Sequence, residues 1–175
     1  MIKALSFLTV GVLAVWLQSM LWQHLPIFGV APDLALICVI YMGIFRNPIW
    51  GGLIAFCLGY VVDLFSGQVF GQYVLVFVLI FYAMRVLGKL FYMRSLSFQL
   101  VSVLLITLLA KLLAALVMIY VVPTGSDLLA LVDLKLLLPQ IGLNLVFAPL
   151  MFKVLFRLEK ITTSGYFDRR AAGWF

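Results

Sequence analysis

Asp63 lies within "LGYVVDLFSGQVFGQY", residues 58–73, a stretch that is otherwise apolar and punctuated by glycines. A carboxylate near the middle of a bilayer costs about 2.5–3.5 kcal/mol on insertion scales, so it needs a compensating partner. Two chemistries fit it. As a structural acceptor it would tie the "LFSGQVFG" turn by taking backbone N–H groups, with Ser66, Gly67 and Gly71 suited to that turn. As a charge it would pair with a cation or carry a proton. The other charge inside an apolar run is Lys111, in "ITLLAKLLAALVMIY", whose helical neighbours Thr107, Ala114 and Ala115 form a small, mildly polar face. At about 1.5 Å of rise per residue, Asp63 and Lys111 fall roughly 10 Å apart along the helix axes, so coupling between them is expected to be indirect. Gln140, Asn144 and Ala148 share a face of the last apolar run, with Pro139 and Pro149 as expected kinks. Together with Lys111 they read as a polar network inside a bundle, or as a ligand site.

Other chemistry is poorly supplied. His24 is the sole histidine, so neither a two-histidine metal site nor a histidine-based triad can be built. Asp63 has no evident second carboxylate for an aspartyl-type centre, and no glycine-rich loop precedes a Lys and Ser or Thr as in a P-loop. Cys38 and Cys57 both fall in apolar runs and read as small buried hydrophobes. The expectation is a protein that is not an enzyme and holds no metal or cofactor.

These residues must be positioned by elements built for lipid. Of 175 residues 66% are hydrophobic and 10% charged, against about 25% charged in an ordinary soluble domain. Six apolar segments stand out, at about 4–22, 31–46, 48–66, 70–93, 97–122 and 134–157. Spans of about 20 residues each would consume most of the chain. The expected fold is an all-α integral membrane bundle of six transmembrane helices over 1–157, followed by a short basic and aromatic cytoplasmic tail, 158–175. The first segment resembles a signal peptide, but its apolar run continues through "QSMLW" and reads as a retained helix. Pro32 is expected at the first position of the second helix with Asp33 in its first turn. Asn47 and Pro48 should open the third helix and Gly67 should close it.

The net charge of +6 is distributed by topology rather than gathered into a nucleic-acid surface. Lys3, Arg46, Arg85, Lys89, Arg94 and the basic residues from Lys153 onward fall on one side, whereas connections 23–30, 67–69 and 123–133 hold no Lys or Arg. The positive-inside rule then places both termini in the cytoplasm. Trp22, Tyr73 and Tyr120 near outer ends, with Trp50 and Tyr92 near inner ends, fit interfacial belts.

On the third segment Gly51, Ala55, Gly59, Asp63 and Gly67 recur every four residues, the spacing of a close helix contact. On the fourth, Tyr82, Arg85 and Lys89 form a stripe suited to snorkelling or to docking a cytoplasmic partner.

The stretches "APDLALICVIYMGI" and "GGLIAFCLGYVVDLFSGQVFG" resemble the bacterial rod-shape-determining membrane protein family MreD. The resemblance rests on Pro32, Tyr41, Gly52, Gly59, Asp63, Leu64, Ser66, Gly67 and Gly71, within residues 31–93. It implies a non-enzymatic scaffold of the cell-elongation machinery in the inner membrane. Such a protein would associate with the bitopic protein MreC and, through it, with the MreB filament and peptidoglycan synthases. The family is also similar in shape to the substrate-binding subunits of vitamin importers, which leaves small-ligand binding as an alternative. The second and third helices with their turn are the first expected site for a partner helix, and the Tyr82–Arg85–Lys89 stripe is the second.

Overall fold

The computed structural model describes residues 2–24, 30–66, 69–90, 96–121 and 134–162. The expectations for Gly67, for the outer connections and for the tail beyond 162 fall outside these residues. The described chain forms six helices, α1 (Ile2–His24), α2 (Leu34–Phe45), α3 (Pro48–Ser66), α4 (Gln72–Leu90), α5 (Leu96–Val121) and α6 (Leu134–Thr162). Three stretches, Pro48–Ser66, Phe98–Val121 and Leu136–Ile161, are long and apolar enough to cross a membrane, while the apolar parts of α1, α2 and α4 are shorter.

The helix α2 sits at the centre, in contact with all five of the others. Residues Leu34–Gly43 are all buried, as expected of a helix apolar on every side. Its 12 residues rise only about 18 Å, short of the roughly 30 Å hydrocarbon core. Its start is already enclosed, with Val30, Leu34 and Ala35 buried, so its first N–H groups need partners from protein. Asp33 is the N-cap rather than a first-turn residue, accepting from the Leu36 N–H at 3.0 Å. Pro32 lies buried just before the helix instead of within it. Gln18 of α1 takes the Ala35 N–H at 3.4 Å, and Asn144 of α6 takes the Asp33 N–H at 2.7 Å.

The chain passes from α2 to α3 through only Arg46 and Asn47. Asn47 caps α3 as expected, its side chain accepting from the Ile49 N–H at 3.2 Å. The most extensive helix pair is α3 with α4. At its far end α6 runs through Pro139 and Pro149 and on to Thr162, past the expected limit at 157. The described α1 likewise includes His24, which was expected in a loop.

Candidate functional site

The α3–α4 hairpin is the most closely fitted part of the molecule. Gly59 lies where a Cβ would come within 2.6 Å of Val74 Cα and 2.8 Å of the Tyr73 carbonyl oxygen. The backbones of α3 and α4 therefore touch at this level. One step along the same face Ala55 is fully buried. At Gly51 a Cβ would strike the Phe81 ring at 2.5 Å, and at Gly52 it would meet the Tyr82 hydroxyl at 3.2 Å. The small face of α3 thus packs against α4 within the bundle.

Asp63, one turn beyond Gly59, is 4% exposed. Its Oδ2 accepts the Gly71 N–H at 3.1 Å and the Val74 N–H at 3.2 Å, and its Oδ1 accepts the Tyr73 N–H at 2.9 Å. A carboxylate from the end of one helix thereby caps the start of the next, where free N–H groups and the helix dipole both favour an anion. Gly71 makes this possible with φ +90°, a conformation that side chains with a Cβ rarely adopt. The Ser66 hydroxyl donates to the Asp63 carbonyl oxygen at 3.2 Å, closing the last turn of α3. Among the described residues Asp63 has no salt-bridge partner.

Behind this hairpin lies a second polar group around the start of α2. Asn144 is fully buried and bridges α2 to α5, accepting from Asp33 N–H and donating from Nδ2 to Thr107 Oγ1 at 3.1 Å. The Thr107 hydroxyl in turn donates to the Val103 carbonyl oxygen at 2.7 Å. Lys111 makes no salt bridge with Asp63 or with any other carboxylate among the described residues. Gln140 makes no hydrogen bond among the described residues and so stands apart from the network expected to include it. Gln72 joins α4 to α5, its Nε2 donating to the Ala114 carbonyl at 3.1 Å, while its buried Oε1 has no partner among the described residues.

At the opposite end of α2 the Tyr41 hydroxyl donates to Glu159 Oε2 at 2.6 Å. Glu159 Oε1 lies 3.6 Å from Arg46 Nη1, and the Arg46 guanidinium stacks 4.2 Å from the Phe7 ring centroid. Arg85 donates to the Arg46 carbonyl, which pins the α2–α3 connection to α4. Arg85 is therefore bonded within the bundle instead of reaching outward, while Tyr82 is half exposed. The side chain of Lys89 lies outside the described residues.

Glu159 was not anticipated. Its signal was available, since it is the only glutamate in the sequence and stands among Lys153, Arg157 and Lys160.

The expected partner surface on α2 must be corrected. Leu34–Gly43 are enclosed, and Tyr41 faces α1 and α6 through Phe7 and Phe152. Only α3 of that pair presents an outward face, through Leu53, Phe56, Tyr60 and Leu64. Phe70 from the turn joins it edge-on to Tyr60, with centroids 5.5 Å apart.

The family model described as rod shape-determining protein MreD matches residues 1–161, from α1 almost to the end of α6. The chain belongs to the MreD family. The match extends well beyond residues 31–93, which carry the motif. Membership gives this chain a role in rod-shape determination, within a family of structural membrane proteins that is not known for enzymes. No curated protein and no solved structure matches the chain.

Proposed function

We propose that this MreD family member is a non-enzymatic scaffold of the cell-elongation machinery in a bacterial inner membrane. The chain crosses the bilayer six times with both termini in the cytoplasm, following its one-sided Lys and Arg. It holds an MreC-like protein with one spanning helix and, through it, an MreB-like filament and peptidoglycan synthases. The observation that carries this reading is the Asp63-capped α3–α4 hairpin with its outward Phe56, Tyr60 and Phe70. The cap and the glycine contacts fix the hairpin internally, so its outer face offers a preformed surface. Helix association in lipid relies on such packing, because burial from lipid brings little hydrophobic gain.

Depleting the protein in a rod-shaped host tests the proposal. Rounding of the cells with normal growth-factor requirements is the expected result. Cells that stay rod-shaped but need an added vitamin would replace this reading with the small-ligand subunit of an importer.

A further inference from the structure

The far end of α6 carries a face that neither the bundle nor the proposed scaffold role uses. Lys153, Arg157 and Lys160 follow one another at four and three residues, which places them on one side of the helix. All three are exposed, and among the described residues none has an ion-pair or hydrogen-bond partner. The carboxylate of the same turn, Glu159, is held from elsewhere by Tyr41 and Arg46. That contact fixes this end of α6 while leaving the basic stripe outward. Continuing up the same side, the helix exposes Leu150, Val146 and Gly142. At Gly142 a Cβ would meet nothing within 4 Å. The face is thus an apolar strip, open at Gly142, ending in three exposed positive charges.

We propose that this face is a binding site for one anionic phospholipid. Its phosphate would sit against Lys153, Arg157 and Lys160, and an acyl chain would lie along Leu150, Val146 and the open surface at Gly142. The order of the groups favours a lipid: charge at one end of the strip and an exposed apolar surface along the rest. Basic residues beside membrane helices attract anionic headgroups by about fivefold for each charge. The site does not depend on which protein the chain holds.

Full-length protein relipidated with equal phosphatidylglycerol and phosphatidylcholine, then analysed by native mass spectrometry, tests the site. Wild type should retain phosphatidylglycerol at least tenfold over phosphatidylcholine. K153Q/R157Q/K160Q should abolish that preference, R157Q alone should lower it about fivefold, and K153R/K160R should keep it. Circular dichroism of each variant separates lost binding from lost fold, and R157Q decides the question if the triple variant does not fold. Equal retention of the two lipids by wild type overturns the proposal. So does displacement by millimolar inorganic phosphate, which would mark a site for free anions. A triple variant that keeps its lipid preference but loses a protein partner would reassign the stripe to an acidic protein segment.

Discussion

Replacing Asp63 removes an acceptor that three backbone N–H groups share, and the geometry distinguishes the substitutions. Leucine orphans the Gly71, Tyr73 and Val74 N–H groups together. Each hydrogen bond to a charged group is worth about 1.5–3 kcal/mol net. Even with incomplete additivity the loss is on the order of 5 kcal/mol, comparable to the whole stability of many domains. Asparagine has a single carbonyl oxygen. Placed at the Oδ2 position, that oxygen keeps the Gly71 and Val74 bonds, and its amide group then confronts the Tyr73 N–H. The expected cost is about 1–3 kcal/mol, or roughly 2–12 °C in melting temperature for a chain of this size. Unfolding in detergent can be followed with a thiol-reactive dye, since Cys38 is free and buried. Asp63→Asn should accumulate and melt lower, whereas Asp63→Leu should accumulate poorly. Equal loss from both would show that the negative charge itself is needed. A leucine variant melting like wild type would refute the capping role.

The remaining predictions follow from other contacts. Gly59→Leu drives a side chain into the α4 backbone at Val74 and should cost about 1–3 kcal/mol, whereas Gly142→Ala enters open space and should melt at or above wild type; equal melting of the two would place the Gly59 face towards lipid. Tyr41→Phe loses the bond to Glu159 and should cost about 1–2 kcal/mol, an effect that Glu159→Ala, which removes the acceptor, should largely mask in a double-mutant cycle. In a background lacking Cys38 and Cys57, an impermeant thiol reagent should label cysteines placed at 27 and 127 in intact cells but spare 46 and 169; modification at 169 would reverse the topology. Photocrosslinkers at Phe56, Tyr60 and Phe70 should capture an MreC-like partner more strongly than those at Leu104 and Leu116, all five being exposed; capture from α5 alone would move the docking face while keeping the scaffold.

Much of the architecture was legible from local features. Apolar runs broken by Pro, Asn and Gly located all six helices, and four-residue spacing showed that Gly51, Ala55 and Gly59 share a close contact. The turn after Asp63 could be read because donor and acceptor lie within 11 residues of one another. The central place of α2 was not legible, nor were the partners of Asp33 and Tyr41, which lie 111 and 118 residues away in sequence. The reason is physical. In water an amphipathic pattern tells a helix which side is inward, but lipid and protein core are equally apolar, so a run such as "LALICVIYMGIF" is compatible with either. Orientation is then settled by which few polar groups can satisfy one another across the bundle. Asp33 with Asn144, Tyr41 with Glu159 and Gln72 with the Ala114 carbonyl become partners only once the helices are assembled.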